Sequence, residues 1–556
     1  VAFFTFEAKE VGVHKLTVYA YGEKLSDAVQ RSIEVVPDGE EIRVARTDRL
    51  NGTITETLVI PEEAVENASR LFVKVYPGVF AQIVEGLDSM LHMPFGCFEQ
   101  TSSITYPNVL ALEYMKRTGK VTPEIQMKAE GYINVGYQRL LGFEVAGGGF
   151  DWFGNPPAKL ILTSYGLMEF YDMAKVYTVD VEVIMRTQNW IASNQNADGS
   201  YEPEGALHAS YRTESKLTAT AYVLWALTHT GYQGAAVDRA VEYAVGQMDL
   251  KGVEDPYTLA LLANALIGAR HPAAGDVLDE LYARRVEEND EVYWNSSPSV
   301  ELRTFAGALG QSKDLETTAL ATLAFLRADY RPETAQRALN FVIRAKGSWG
   351  HWGSTQATIY ALKALLLALE KSHPEGNAAV EITANGVKAE TLRIDEENND
   401  VLRIVDLKAY VRKGENTVSL EVTGEGNLYY QVVAVYYLPW REEPAIGSPE
   451  ISIDVAYDTT NLTVGDVVTA TVKVAYHGLG SAEMVIIDLG VPPGFAVERA
   501  DLDRLVGSLF AKYDIRGRQV ILYVEKLEGE MEFSYRLRAM FPITAKTPSS
   551  EVYKYY

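Results

Sequence analysis

The single cysteine of this chain stands in "PFGCFEQTSS", residues 94–103, with a glutamine three positions later. One thiol forms no internal disulfide, so Cys97 is a packed hydrophobe, a metal ligand, a nucleophile or part of a cross-link. At the start of a helix, residues i and i+3 face each other across one turn. The Cys97 sulfur can then reach the side-chain carbonyl of Gln100, and attack with loss of ammonia leaves an internal thioester. Gly96 and Glu99 suit a tight backbone bend beside that ring. A helix N-terminus also favours a thiolate, which helps both ring closure and departure of sulfur when the ring opens. The structural alternative is plain burial, the common fate of a lone cysteine.

The eight histidines fall at 14, 92, 208, 229, 271, 351, 373 and 477. None is spaced with Cys or carboxylates as metal ligands are, so no metal is expected. His92, His208 and His351 lie in segments that can approach Cys97. Of these, His208 precedes an apolar helix in "DGSYEPEGALHASYRTESKLTATAYVLWAL" and His351 sits in the aromatic loop "GSWGHWGST". A solvated loop histidine is the bland reading of each.

The elements that must position these residues follow from hydrophobic period. Residues 1–37 alternate apolar and polar and end at the turn Pro37-Asp38-Gly39. The opening "VAFFTFEAKE" reads as mid-strand, so the chain is expected to be a piece of a longer polypeptide, and a missing leader says nothing about export. Strand patterns continue over 38–77 ("EIRVAR", "TITETLVI", "RLFVKVYPG") and return over 376–441 ("AAVEITANG", "NLYYQVVAVYYLPW"). The two stretches are expected to form one split sandwich. A last β unit covers 445–556, with a helical turn near "RADLDRLVGSLF".

Between the sandwich halves, residues 78–375 carry a helical repeat. Apolar helices such as "TSYGLMEFYDMA", "LTATAYVLWALTH" and "YTLALLANALIGA" alternate with amphipathic ones such as "DVEVIMRTQNWIASN". A helix apolar all round is buried, and its partner shows one dry face. Six such pairs are expected to close into an inner and an outer ring, an (α/α)6 toroid, with an open solenoid as the structural alternative. All inner helices then run the same way, so the loops before them gather at one end with Cys97.

Composition narrows the function. The chain has 556 residues, 47% apolar and 23% charged, as globular proteins do. Its 75 acidic against 51 basic residues give a net charge of −24, which repels nucleic acid and anionic lipid. No apolar run approaches the roughly 20 residues of a membrane span. Sequons at Asn51, Asn67, Asn295 and Asn461 carry little weight.

"PFGCFEQ" resembles the P-[YF]-G-C-[GL]-E-Q motif of the alpha-2-macroglobulin and complement family, and the following "YPN" resembles that family's pattern too. The resemblance runs over essentially the whole chain. It implies a multidomain α + β architecture. Residues 1–37 would end a macroglobulin-like domain, and 38–77 with 376–441 would form a CUB-like split sandwich. Residues 78–375 would be the toroidal thioester domain, and 445–556, with "VPPGF" and "EVYKYY", the receptor-binding domain.

The family's internal Cys-Gln thioester falls on Cys97 and Gln100, with Gly96, Phe98 and Glu99 as support and no cofactor. Phe98 departs from the Gly of vertebrate members and resembles the bulky residue of bacterial or archaeal ones. The low cysteine content fits that branch, and the resemblance implies an extracytoplasmic site: periplasm, cell surface or medium. The stretch around His208 is similar to complement members, whose histidine takes the acyl group and directs it to hydroxyls. Alpha-2-macroglobulins proper carry Asn there and react with amines.

The implied function is covalent, single-turnover entrapment of proteases or of hydroxyl and amine groups on a surface, not catalytic turnover. The C-terminal domain is expected to cover the bond, with Tyr of the final strands or Phe98 as the shield. Two rivals stay open. Toroids also host carbohydrate-active enzymes, for which Glu144, Asp151, Asp198, Glu202 and Glu204 supply acid/base candidates. The other rival is a binding scaffold in which no thioester forms.

Overall fold

A computed structural model describes residues 11–35, 37, 39–77, 93–117, 123–203, 215–247, 253, 255–295, 303–308, 310–346, 352, 354–371, 376–395, 398, 402–426, 428–439, 450–478, 480–543 and 547–554. The fold class is α + β, and the chain divides into two compact units.

The first unit comprises Val1–Glu85, Ile343–Trp349 and Ser372–Pro444. It holds an antiparallel hairpin, Gly12–Tyr21 with Ser26–Val35, and two four-stranded sheets. One sheet orders Val387–Ile394, Gly376–Ala384, Gly414–Gly426 and Thr53–Ile60, and the other Arg403–Asp406, Arg70–Pro77, Leu428–Leu438 and Glu40–Leu50. Each sheet pairs strands from before and after the helices. Alternation places Val73, Val75, Val432 and Ala434 of one sheet with Val380, Ile382, Val418 and Leu420 of the other in a single core.

The second unit, Gly86–Val342, Gly350–Lys371 and Ala445–Tyr556, carries the helices and the last β domain. The helices are α1 (Phe98–Arg117), α2 (Pro123–Leu141), α3 (Leu160–Met173), α4 (Val181–Ser193), α5 (Lys216–His229), α6 (Ala235–Gly246), α7 (Pro256–Gly268), α8 (Ala274–Ala283), α9 (Gly310–Ala328), α10 (Pro332–Arg344) and α11 (Thr355–Lys371).

Among these, α1, α3, α5, α7, α9 and α11 pack in that order, and α11 packs back on α1 to close a ring. The sequence explains why these are the inner members. In α7 every residue from Pro256 to Leu266 is buried, which only a helix surrounded by others tolerates. Its start is fixed by Pro256 at the first turn and by the Asp255 side chain, which accepts from the Tyr257 N–H. By contrast α10 buries Ala335, Ala338, Leu339, Val342 and Ile343, one stripe at helical spacing. Helices α2, α4, α6 and α8 each pack on the inner helix that precedes them.

The last domain stacks Ile451–Tyr457, Val467–Tyr476, Glu530–Ala539 and Phe495–Val497 against Lys512–Arg516, Gln519–Leu527, Ala482–Gly490 and Glu551–Lys554. Among the described residues no helix is long and apolar enough to cross a membrane. Among the same described residues no group of three or more His, Cys, Asp or Glu side chains is placed to hold a metal ion.

Candidate functional site

Gly96, Cys97, Phe98, Glu99 and Gln100 occupy the turn that opens α1, and all five are buried. Gly96 has φ +80°, a backbone region in which a Cβ is disfavoured. A Cβ there would also lie 1.8 Å from Gln100 Oε1. The bend therefore needs glycine twice over, once for its dihedral and once for the close approach of the Gln100 side chain. That approach lets the Cys97 N–H donate to Gln100 Oε1 at 3.0 Å. The polar end of Gln100 thus folds back over the residue that carries the thiol.

The turn is fixed from below. Thr101 N–H donates to the Cys97 carbonyl at 2.9 Å, and Thr101 Oγ1 to the Phe95 carbonyl at 3.1 Å. Phe98 N–H donates to the Trp152 carbonyl at 2.8 Å, tying α1 to the loop before α3. The Phe98 ring is fully buried with Phe143 and Phe150 at centroid distances of 6.2 and 5.2 Å. It also presses so closely on Gly166 of α3 that a Cβ there would lie 2.5 Å from its Cζ.

Burial decides the state of the sulfur. Cys97 has no solvent exposure, and burial, reinforced by the Glu99 carboxylate, pushes its thiol up to about 12. Backbone N–H groups at the helix start pull the other way and lose. The thiolate favoured by a helix N-terminus is therefore not the resting state of this cysteine. Desolvation in the covered site outweighs the helix end.

The cover comes from the hairpin Lys512–Arg516 and Gln519–Leu527 of the last domain. Asp514 Oδ2 accepts from the Gly96 N–H at 3.4 Å, from Arg139 Nη2 at 3.3 Å and from the Tyr523 hydroxyl at 3.3 Å. Arg139, on α2, also donates to the Gly96 carbonyl at 3.1 Å. The Arg516 guanidinium lies 3.5 Å from the centre of the Phe95 ring, and Lys512 Nζ 5.0 Å from that of Phe143. Burial, with Arg139 beside it, lowers Lys512. Burial and the Asp514 charge raise the Tyr523 hydroxyl. Tyr523 is among the tyrosines of the final strands named above as a candidate shield; Arg139, Lys512, Asp514 and Arg516 did not stand out in the sequence. The hairpin's other trace was the strand alternation of "RQVILYVEKL".

His208, His92 and His351 lie outside the described residues, as does Glu204. The other carboxylates considered for sugar chemistry are engaged locally. Glu144 takes Arg186 through both oxygens at 2.6 and 2.8 Å. Asp151 accepts from the N–H groups of Phe153 and Asn155. Asp198 accepts from the N–H and hydroxyl of Ser200. Glu202 pairs with Lys216 at 2.5 Å.

Comparison with known proteins identifies this frame. The family model described as the A-macroglobulin TED domain matches residues 73–367, more than half of the chain. The chain belongs to the alpha-2-macroglobulin family. The A-macroglobulin receptor binding domain matches residues 480–556, which include the covering hairpin. Ovostatin from Gallus gallus is 25% identical over 565 residues, covering 95% of this chain and 37% of that protein. The chain thus spans a little over a third of the length of that alpha-2-macroglobulin relative.

Among solved structures, Salmonella alpha-2-macroglobulin reacted with methylamine matches 98% of this chain and 35% of its own, with TM-score 0.65 and 17% identity. Native Escherichia coli alpha-2-macroglobulin from domain MG7 to the C-terminus matches 98% of this chain and 85% of its own, with TM-score 0.63 and 17% identity. At such identity the likeness is one of fold.

Proposed function

We propose that Cys97 and Gln100 form an internal thioester that acylates a nucleophile on a captured protease or a nearby surface, once per molecule. The observation that carries this reading is the Cys97 N–H to Gln100 Oε1 contact at a turn that only Gly96 permits. Closure joins Sγ to the Gln100 carbonyl carbon, and the amide nitrogen leaves as ammonia with the thiol proton. Opening by an amine forms the new amide at Gln100 and returns the amine's proton to sulfur.

The cover gives the chemistry its timing. A sulfur whose thiol is pushed up to about 12 is a poor leaving group, and the Asp514 clasp keeps water from the carbonyl. Exposure to water lowers the cost of a thiolate and admits the acceptor at the same moment. In this reading the ring of helices is the family's (α/α)6 toroid and the split sandwich its CUB-like domain. The molecule works outside the cytoplasm, as a protease-inhibiting trap and not as a turnover enzyme. His208 is the proposed acyl relay to hydroxyls, resting on the likeness of its loop to complement members and its place shortly before α5.

The test is covalent labelling with a fluorescent primary amine, with the labelled peptide mapped by mass. Label should appear on Gln100, vanish in Cys97→Ala, and shift from glycerol to amine acceptors in His208→Asn. Label that persists in Cys97→Ala would refute the thioester, and unchanged acceptor choice in His208→Asn would remove the relay.

A further inference from the structure

The strand Lys512–Arg516 lies across the turn that carries Cys97 and Gln100, and alternate side chains of a strand share a face. Arg516, Asp514 and Lys512 are such a set. Arg516 meets the Phe95 ring at 3.5 Å, and Asp514 Oδ2 accepts from the Gly96 N–H at 3.4 Å. Lys512 is the next member along that face, as Cys97 is the next residue along the turn. Its Nζ stands 5.0 Å from the centre of the Phe143 ring, which packs on the Phe98 ring at 6.2 Å.

Lys512 is half-buried rather than sealed. The Cys97 sulfur is close enough to act on its charge, and on that of Tyr523. Asp514 favours the ammonium from a distance but gives its Oδ2 to Gly96, Arg139 and Tyr523. Burial, with the Arg139 guanidinium adding to it, lowers Lys512 from the ordinary lysine range.

Closing the thioester ring under this cover requires a base, because the Cys97 thiol is pushed up to about 12. The other titratable groups around the sulfur are Glu99 on α1, Arg139 on α2, and Asp514, Arg516 and Tyr523 on the hairpin. Carboxylates as a class titrate at about 4 and are weak bases toward such a thiol. Guanidinium groups do not give up their protons, and the Tyr523 hydroxyl, raised by burial, keeps its own. Lys512 alone among them has an uncharged form suited to take a proton from this sulfur.

We propose that Lys512 carries the proton during ring closure. Its neutral amine takes the thiol proton as Sγ bonds to the Gln100 carbonyl carbon. It returns that proton to the amide nitrogen as the C–N bond breaks and ammonia leaves, so Lys512 ends as it began. This step rests on the thioester reading above and adds the group that drives it.

The experiment starts from full-length chain opened with ammonia, which restores the Gln100 amide and the Cys97 thiol. After the ammonia is removed, closure is followed by the loss of one ammonia in intact mass and of one titratable thiol. Lys512→Met and Lys512→Arg should both close about 100-fold more slowly, the scale of general acid–base catalysis. Arginine keeps the charge over Phe143 but accepts no proton, so its failure separates proton transfer from packing. The wild-type rate should rise with pH and level off below the ordinary lysine range, whereas Lys512→Arg should keep climbing toward the thiol at about 12. Urea unfolding like that of wild type shows that both variants fold. Closure of either variant within twofold of wild type, or the same pH profile in Lys512→Arg, would overturn the proposal and leave the thioester standing. Wild type that never loses ammonia would remove both. A chain one ammonia light that keeps its thiol would overturn the proposal in favour of a direct Lys512–Gln100 amide.

Discussion

Asp514→Ala removes a carboxylate that joins the last domain to the Gly96 bend. Its Oδ2 accepts three contacts at 3.3–3.4 Å, all at the long end of the hydrogen-bond range. Hydrogen bonds to charged groups contribute about 1.5–3 kcal/mol when well made. The Tyr523 contact lies within the hairpin itself, so only the two that cross to Gly96 and Arg139 oppose lifting; with Asp514 17% and Arg139 25% exposed they are worth about 1–2 kcal/mol together. If methylamine reaches Gln100 only when the hairpin lifts, the rate follows the open population. A loss of that size multiplies the open population by roughly 5–30. The assay is the rate of methylamine incorporation followed by intact mass, beside the rate of Cys97 thiol release. Incorporation within twofold of wild type would refute the argument that this clasp governs access.

Three further outcomes follow from the same geometry. Gly96→Ala places a Cβ 1.8 Å from Gln100 Oε1 at φ +80°. It should cost about 1–2 kcal/mol for the dihedral alone, seen in urea unfolding, and abolish amine labelling. Phe98→Ala empties a fully buried site between Phe150 and Gly166 and should cost about 3–5 kcal/mol in the same assay. Glu169, fully buried on α3, is raised from 4.5 to about 8 by burial, and Glu316 on α9 to about 7 by the same cause. The native state therefore holds protons that the unfolded chain releases. Stability should be greatest below pH 4.5 with respect to these groups and fall as pH rises through about 7 and 8, by at most ~1.4 kcal/mol per pH unit per group. Glu169→Gln should flatten that slope in denaturation measured across pH, and an unchanged slope would exclude Glu169 as its source.

What the sequence made legible was local. The continuous apolar run of α7, its Asp255-Pro256 start and the single stripe of α10 each specify an inner or an outer helix. Period-2 patterns announce the strands, and helical spacing brings Cys97 beside Gln100. What stayed hidden depends on distant parts of the chain. Asp514 lies 418 residues from Gly96, and nothing in "KYDIRGRQ" marks it as the partner of a glycine N–H. The helix end suggested a thiolate, because sequence shows the dipole but not the desolvation that outweighs it at Cys97. Glu169 and Asp172 interrupt the apolar "TSYGLMEFYDM" of α3, a signal of a polar ring interior that could have been taken up. Glu144, Asp151, Asp198 and Glu202 looked available in sequence, yet turns and ion pairs occupy them.

The central claim is tested most directly by the intact mass of freshly prepared protein, before and after methylamine, with thiol titration alongside. A thioester predicts a starting mass one ammonia below that of the sequence and no titratable thiol. Methylamine should then add one equivalent at Gln100 and free Cys97. A starting mass equal to the sequence, with one titratable thiol and no methylamine added, would contradict the account.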